Sequence, residues 1–419
     1  SDYPVYTRKV NTDLSFLACA EKLMSVRENI YPMFATHNAQ TVAAIMEMAG
    51  NERDNFEFQR LHGMGETLHD IVINDDVANV TVYAPCGSHE DLLPYLVRRL
   101  LENGANSSFV YQILDKNTPP EVIAADPVKN AESHTTKRHP HIPMPHDIYP
   151  NRENSAGMDL SDAPTLEKLV AAMKREVDGG DHIAAPYLGG QIMKTGKACD
   201  VLNPADQSQK VGQVYHADDS VIDRAFEHAE DGFENWTRTP AETRAVALEK
   251  LADLMEKHND ELMGLCLREA GKTIEDALAE IREAVDFCRY YAMRGRIDFS
   301  DDGTEMPGPT GETNTLKLHG RGTFVCISPW NFPLAIFTGQ ITAALMVGNA
   351  VIAKPAEQTS LVAMRMAKLI HEAGVPKNAF QLVTGDGAIG AKLVGHKDVA
   401  GVAFTGSTEA ARHINRALA

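Results

Sequence analysis

The sequence predicts an α/β protein with two α/β regions joined by an irregular linker. Short apolar runs alternate with amphipathic helical patterns before residue 118 and again after residue 212. Between these regions, proline, histidine and polar residues accumulate. Alternating strands and helices are typical of parallel β/α units. We therefore predict domains over residues 1–118 and 212–419, with a linker over residues 119–211.

The first region contains three predicted strands, each followed by a helical pattern. The strands are Tyr31–Thr36, Phe56–Leu61 and Val80–Pro85. The helices are Ala39–Met48, a fainter one after Gly65, and Glu90–Glu102. Three β/α units cannot close a barrel, so we expect further strands upstream of this sequence.

The linker contains a run of alternating histidines and prolines over residues 138–146. Histidines clustered in so short a stretch are able to bind a metal ion. Alternating prolines extend the backbone and point successive side chains apart, so we favour a proline-stiffened linker. One helix is predicted within the linker, over Thr165–Val177.

The second region begins with long helices and continues as alternating strands and helices, which is the pattern of a doubly wound nucleotide-binding domain. Gly271 is a predicted helix C-cap. The predicted elements are helices Ser220–Glu234, Ala241–Lys257, Asp260–Ala270 and Ile274–Arg294, then strand Gly322–Ser328, helix Phe337–Met346, strand Ala350–Ala353, helix Ser360–Ala373, strand Phe380–Val383, helix Gly387–Val394, strand Gly401–Phe404 and helix Thr408–Leu418.

Composition and charge argue against several classes of protein. The chain has 419 residues, 43% of them hydrophobic, which is enough for two or three buried cores. Its net charge of -18 argues against nucleic-acid binding. Six cysteines without CxxC spacing indicate reduced thiols, and we predict no metal site. Neither a signal peptide nor a membrane-spanning stretch is evident, so we expect a cytoplasmic protein with at most peripheral contact to the inner membrane.

Polar side chains follow the strands of the first region. Thr36 and His37 close the first strand, and Tyr83 lies near the end of the third. In β/α barrels such positions lie at the functional face. Arg98 and Arg99 lie on the next helix, where their guanidinium groups suit a small carboxylate, although paired arginines are also common on ordinary surfaces.

The wording of this region resembles a known family. YPVYTRKVNTD, YPMFATHNA, FEFQRLHGMGE and YAPCGSHEDLLPYLVRRLLENGANSSFV resemble the last third of the proline dehydrogenase (β/α)8 barrel in the proline utilization A family, over residues 3–114. The resemblance implies FAD contacts for Thr36 and His37, with Thr7 and Lys9 nearby. It also implies a proline site formed by Tyr83, Arg98, Arg99 and Glu102.

Three motifs of the second region follow predicted strands. Asn331 lies in a proline-bounded turn, where its amide suits an oxyanion or simply satisfies local backbone. Lys354 and Glu357 suit the hydroxyls of a ribose, or form an exposed ion pair. Residues 385–390 match G-x-G-x-x-G, but they follow the third strand of the unit, so we do not interpret them as an ordinary pyrophosphate loop.

Together, PWNFPL, AKPAEQT and FTGST resemble the aldehyde dehydrogenase superfamily over residues 212–419, and ISPWNFPLAIFTGQI resembles its proline utilization A branch. The resemblance implies that Asn331 stabilises the oxyanion. It also implies an NAD site whose residues are Ile327, Trp330, Lys354, Glu357, Gly387, Gly390 and Ser407. In the family, the nucleophilic cysteine and the general-base glutamate follow FTGST, so we expect both outside this sequence.

The resemblance implies two linked oxidations. Proline is oxidised with FAD to pyrroline-5-carboxylate, and glutamate semialdehyde is then oxidised with NAD to glutamate. It also implies a homo-oligomer and peripheral membrane contact for quinone reduction. Two alternatives remain open: a non-catalytic scaffold or oligomerisation piece, and a stand-alone NAD-binding protein.

Overall fold

The computed structural model describes residues 3, 5–74, 78–105, 108–178 and 182–419, except for the side chains of Glu102, Asn103, Gly104, Val110, Leu114, Glu176 and Asp178. The chain divides into two units between Pro143 and Met144, inside the predicted linker. Each unit has its own apolar core. Within the described residues, no helix is both long enough and apolar enough to cross a lipid bilayer.

The first unit alternates strands and helices after an initial helix. Its elements are α1 (Lys9–Met24), β1 (Met33–Ala35), α2 (Ala39–Ala49), β2 (Glu57–Leu61), α3 (Glu66–Asn74), β3 (Asn79–Tyr83), α4 (His89–Gly104), α5 (Phe109–Leu114), α6 (Pro120–Ile123) and α7 (Pro127–Ser133). The three predicted strands and the helices that follow them are confirmed. Helix α1 was not predicted from the sequence.

Strands β1, β2 and β3 form one parallel sheet, in which Phe34 pairs with Phe58 and Phe58 pairs with Val80. One face of this sheet packs on the helices, because Phe34 and Phe58 are buried in the same cluster as Ile45 of α2. Parallel strands all end at the same edge of a sheet. The residues that follow β1 therefore lie along the same edge as the end of β3.

The second unit surrounds a six-stranded sheet with helices. Its elements are α8 (Ala163–Asp178), β4 (His182–Ala184), β5 (Tyr187–Leu188), β6 (Gln191–Ile192), β7 (Cys199–Asn203), β8 (Asp206–Val214), α9 (Asp219–Trp236), α10 (Ala241–Lys257), α11 (Asn259–Ala270), α12 (Ile274–Asp298), β9 (Thr304–Met306), β10 (Asn314–Leu316), β11 (Thr323–Ile327), α13 (Ala335–Met346), β12 (Ala350–Lys354), α14 (Ser360–Glu372), β13 (Phe380–Leu382), α15 (Gly387–Val394), β14 (Val399–Phe404) and α16 (Thr408–Leu418).

The strand order of the sheet is β14-β11-β12-β13-β5-β6, and the first four strands are parallel. Successive side chains of β11 enter different cores. Val325 packs in the cluster that contains residues of α9 and α15, and Cys326 packs in the cluster that contains residues of α13 and α14. Helices therefore cover both faces, and the predicted doubly wound fold is confirmed. The order of the strands reverses between β11 and β14, where such sheets bind ligands.

The segment predicted as an irregular linker also contains regular structure. Helix α8 agrees with the predicted helix, but strands β4 to β8 were not predicted. Strand β8 pairs antiparallel with β7 and parallel with β4. Most of these strands are very short or largely polar, so apolar alternation does not reveal them. In the first unit, the histidine and proline run is held to the start of α1, because the backbone N–H of His139 donates to Thr7 Oγ1 at 2.9 Å.

Buried Arg289 connects the segment before α8 to the long helices α10 and α12. Arg289 of α12 is 6% exposed, and its guanidinium donates to both carboxylate oxygens of Glu256 on α10. It also donates to the carbonyl oxygen of Asn154 at 3.4 Å. Asp286 of α12 holds the same segment, because its carboxylate accepts hydrogen bonds from Ser155 and forms an ion pair with Arg152.

Candidate functional sites

The first candidate site is a cavity of about 520 Å³ at the carboxyl edge of the three-stranded sheet. Thr36 and His37 line it from the end of β1, Tyr83 from the end of β3, Lys9 from α1 and Arg99 from α4. The structure thus brings together five of the residues singled out from the sequence. This volume is within the range that small-molecule and cofactor sites commonly have.

His37 is held by the neighbouring strand. The backbone N–H of Leu61, at the end of β2, donates to His37 Nε2 at 3.3 Å, so the ring proton resides on Nδ1. Gly65 allows this placement, because a β-carbon there would lie 2.8 Å from the imidazole, and its φ of +63° disfavours larger residues. Behind it, buried His69 meets the carbonyl oxygen of Thr36 at 2.9 Å, and burial lowers the pKa of His69.

The arginine pair is divided by the helix on which it lies. Arg99 lines the cavity, and its guanidinium carbon lies 5.4 Å from the ring centroid of Tyr95. Arg98 is exposed and is not among the lining residues. Adjacent helical residues diverge by about 100°, which accounts for the separation. The side chain of Glu102 lies outside the described part of the chain.

Lys9 and Thr7 lie in different surroundings in the first unit. Lys9 lines the cavity and forms an ion pair with Asp13, one helical turn further along α1. Thr7 does not line the cavity. Its hydroxyl oxygen instead accepts the backbone hydrogen bond from His139, so it holds the returning chain.

The second candidate site lies where β11 and β14 end side by side. The backbone N–H of Thr405, just after β14, donates to the carbonyl oxygen of Ile327 at 3.1 Å. Trp330 and Asn331 lie in the turn after β11, and both side chains are exposed. Ser407 caps α16, because its hydroxyl oxygen accepts from the backbone N–H of Ala410 at 3.2 Å. These residues therefore flank the crevice at the reversal of strand order.

Lys354 ends β12 and is 4% exposed. Its ammonium group donates to the carbonyl oxygen of Pro355 at 3.0 Å. Burial lowers the pKa of Lys354, and the nearby carboxylates of Glu357 and Asp386 oppose that effect. A β-carbon on Gly390 would approach Lys354 Cδ to 3.3 Å, and Ile327 lies at 4.0 Å from the same point. Ile327, Lys354 and Gly390 thus meet on one face of the sheet.

The glycine-rich loop is not arranged as an open phosphate cradle. Asp386 caps α15, and its carboxylate accepts from the backbone N–H groups of Ala388 at 3.0 Å and Ile389 at 3.2 Å. Those amides are the ones that a phosphate would use at a helix N-terminus. A β-carbon on Gly387 would meet nothing within 4 Å, so this glycine faces open space. Glu357 is exposed at the start of the turn that leads into α14.

Sequence reasoning missed two buried carboxylates beside these turns. Glu269 of α11 is 4% exposed and Glu280 of α12 is 2% exposed. A signal was present, since Glu280 lies at helical spacing between the buried residues Ala277 and Ala284. A carboxylate on a buried stripe needs a partner, and here the partners are helix N-termini.

A further cavity of about 560 Å³ lies between α12 and α13. It is lined mainly by apolar side chains such as Phe287, Tyr291 and Phe324. None of the residues predicted from the sequence lines it. It opens on the α13 face of the sheet, whereas Lys354 and Gly390 meet on the α15 face.

Comparisons with known proteins cover both units. Residues 192–419 match the aldehyde dehydrogenase family, and residues 1–112 match proline dehydrogenase. The bifunctional protein PutA of Escherichia coli (strain K12) is 47% identical over 432 residues, which span 100% of this chain and 32% of PutA. A mutant proline utilization A from Bradyrhizobium japonicum has a TM-score of 0.77 at 49% identity, covering 99% of this chain and 39% of that one.

A solved 1-pyrroline-5-carboxylate dehydrogenase from Thermus with bound NAD has a TM-score of 0.61 at 34% identity. It covers 65% of this chain and 52% of that protein. The present chain therefore spans about a third of the length of the PutA protein that it matches.

Proposed function

This chain belongs to the proline utilization A family, with an aldehyde dehydrogenase region at residues 192–419, and we propose that it carries residues of two oxidoreductase sites. The first oxidises proline to pyrroline-5-carboxylate with FAD. The second oxidises glutamate semialdehyde, the hydrolysed form of that product, to glutamate with NAD. When bound, the two cofactors supply the hydride acceptors.

The observation that carries the proposal is the convergence of Ile327, Lys354 and Gly390 beside the crevice between β11 and β14. These residues fit a dinucleotide. An ammonium group has three donors, of which Pro355 takes one, and the exposed carboxylate of Glu357 supplies acceptors for ribose hydroxyls. The absence of a side chain on Gly390 leaves the space that the Lys354 side chain occupies.

Asn331 supplies a different group to the second reaction. Its exposed amide follows β11 directly and is able to donate to a substrate carbonyl oxygen as that oxygen becomes negatively charged. Trp330 and Ser407 flank the same crevice, and we assign them to the cofactor groove. We also assign Gly387 to the cofactor groove, because the space beside it is open.

The cavity of the first unit fits a flavin and a small amino acid. Lys9, Thr36 and His37 would hold FAD, since the cavity combines a cation, a hydroxyl and a ring nitrogen with a fixed tautomer. Tyr83 would pack against the proline ring. Arg99 would hold the carboxylate of proline, and Arg98 would join it only after turning towards the cavity.

NAD titration of the purified chain by calorimetry tests the second site. We expect binding that Lys354→Ala weakens by at least about tenfold, because a charge-assisted hydrogen bond contributes about 1.5–3 kcal/mol. Ser208→Ala, at an exposed position of β8, serves as the control and should bind like the parent. Absence of binding, or equal binding by parent and Lys354→Ala, would exclude the NAD assignment.

Flavin absorbance of the purified chain tests the first site against the scaffold alternative. A flavin site predicts absorbance in the visible range that disappears in His37→Ala, whereas a scaffold is colourless. NAD binding without any flavin binding would favour the stand-alone NAD-binding alternative.

The proposal extends to assembly and location. We propose a homo-oligomer and peripheral contact with a quinone-containing membrane, both of which rest on the family resemblance. Sedimentation equilibrium measures the first, and flotation with quinone-containing vesicles measures the second. A monomer that does not float with the vesicles would contradict both of these proposals, without affecting the assignment of the two sites.

A further inference from the structure

Two buried carboxylates cap the helices that follow the functional turns. Glu280 Oε2 accepts from the backbone N–H groups of Leu334 at 3.2 Å and Ala335 at 2.8 Å, at the start of α13. The two oxygens of Glu269 accept from Leu361 at 2.7 Å and Val362 at 2.9 Å, at the start of α14. The first amides of a helix have no partner within the helix, so these glutamates satisfy groups that would otherwise be unbonded.

Neither helix supplies this bond from its own N-cap residue. The residue before α13 is Leu334, which has no side-chain acceptor, and Thr359 before α14 makes no side-chain capping bond. The caps instead come from α11 and α12, which are distant in sequence. A cap supplied by the N-cap residue itself would not require two buried carboxyl groups. Burying such groups is costly unless they are fully hydrogen-bonded.

Each cap lies at the far end of a turn that carries site residues. The turn before α13 holds Trp330 and Asn331, and the turn before α14 follows Lys354 and holds Glu357. The near end of the first turn is also fixed, because the backbone N–H of Ser328 donates to the carbonyl oxygen of Lys354 at 3.3 Å. The Asn331 turn is thus held at both of its ends.

Lys272 adds a second contact to the Asn331 turn. Its ammonium nitrogen lies 2.9 Å from Glu280 Oε1 and 4.6 Å from the ring centroid of Phe332. The lysine therefore contacts buried Glu280 and also packs on the residue next to Asn331. A cation over an aromatic ring restrains that ring, and here the ring belongs to the turn itself.

We propose that Glu280, with Lys272, and Glu269 are positioning residues: Glu280 sets the turn of Trp330 and Asn331, and Glu269 sets the turn of Lys354 and Glu357. What the two turns do rests on the proposed function. Which carboxylate holds which turn rests only on the contacts described above. The two glutamates are similar in burial and chemistry, so each serves as the control for the other.

The experiment compares Glu280→Ala and Glu269→Ala in the full chain with two readouts. Time-resolved anisotropy of Trp330 needs no cofactor, and buried Trp236 provides an insensitive background in the same molecule. NAD affinity reports on the Lys354 turn. We expect Glu280→Ala to increase the motion of Trp330, and Glu269→Ala to weaken NAD binding by about fivefold, the change that one ordinary hydrogen bond supports.

Conservative variants sharpen the assignment. Glu280→Gln keeps an oxygen for both amides of α13 and should restore most of the Trp330 order, whereas Glu269→Gln offers one oxygen where two are used and should rescue less. Hydrogen exchange of peptides over residues 328–335 and 355–362 locates the loosened turn in every variant, including any that fails to bind NAD.

The proposal requires that each alanine variant loosens its assigned turn more than the other turn. If both alanine variants loosen both turns alike, in proportion to their loss of thermal stability, the glutamates are general supports and the proposal is overturned. Unchanged exchange in the assigned turn would overturn it as well. If the parent chain does not bind NAD, the proposed function fails, but the exchange and anisotropy results still test the positioning roles.

Discussion

The side chain of Lys354 lies directly against Gly390, with 3.3 Å between Lys354 Cδ and the place where a β-carbon of residue 390 would be. Lys354 ends β12 and Gly390 lies in α15, so two elements separated by a strand and a helix meet at one point. The position of the lysine therefore depends on the absence of a side chain at residue 390.

Alanine at this glycine should weaken NAD binding. Gly390→Ala places a methyl group at a distance tighter than ordinary contact and displaces Lys354, so we expect the dissociation constant for NAD to rise by about three- to tenfold. Gly395→Ala, at the residue that follows the same helix, makes only ordinary contacts at 3.4 Å or more and is the matched control. Calorimetric titration of both variants measures the difference, and equal affinities would show that Lys354 tolerates the methyl group.

Trp330 should report cofactor binding. Its side chain is 57% exposed, whereas Trp236 is 2% exposed and donates to the carbonyl oxygen of Leu345 at 2.8 Å. NAD in the crevice should therefore protect Trp330 from acrylamide quenching and leave Trp236 unaffected. The protection should be lost in Trp330→Phe. Quenching that NAD does not change would place the cofactor away from the turn.

Removing Arg289 should destabilise the second unit. Its loss leaves the partly buried carboxylate of Glu256 without its cation, so Arg289→Ala should lower the free energy of unfolding by about 3 kcal/mol. Arg294 on the same helix pairs with Asp298 at the surface, and Arg294→Ala should cost less than about 1 kcal/mol. Urea denaturation compares the two variants, and similar losses would contradict the distinction.

The stability of the chain should depend on the pH through Glu269. Burial raises the pKa of Glu269 to about 8, while the backbone donors of α14 oppose that rise. From about pH 4.5, where an exposed glutamate ionises, up to about pH 8, the folded state retains a proton that the unfolded state has lost. The contribution of Glu269 therefore falls as the pH rises, by at most about 1.4 kcal/mol per pH unit.

Glu269→Gln does not titrate and should lack this slope. The difference in unfolding free energy between the parent and Glu269→Gln, measured in urea from pH 5 to pH 8.5, should change steadily up to about pH 8 and then level off. A difference that is constant across this range would show that Glu269 ionises as an exposed carboxyl group does.

Much of the fold was predictable because its signals are local. The strands around Phe58 and Val325 are short apolar runs, and α10 and α15 have the bounds that their patterns predict. Gly271 ends α11 in the left-handed conformation, as a C-cap glycine should. Strands β5 and β6 have only two residues each and carry no visible alternation, which is why they escaped prediction.

The sequence alone determined the chain order of PWNFPL, AKPAEQT and FTGST, and it determined which polar residues lie at the ends of the predicted strands. Residues that act together after one strand are close to each other in the chain, so they form a short sequence motif. The tertiary structure decided the rest: that Arg99 and not Arg98 lines the cavity, that Thr7 holds His139, and that Glu280 caps α13. These contacts join residues far apart in sequence, and only the packing of helices and sheets brings such residues together.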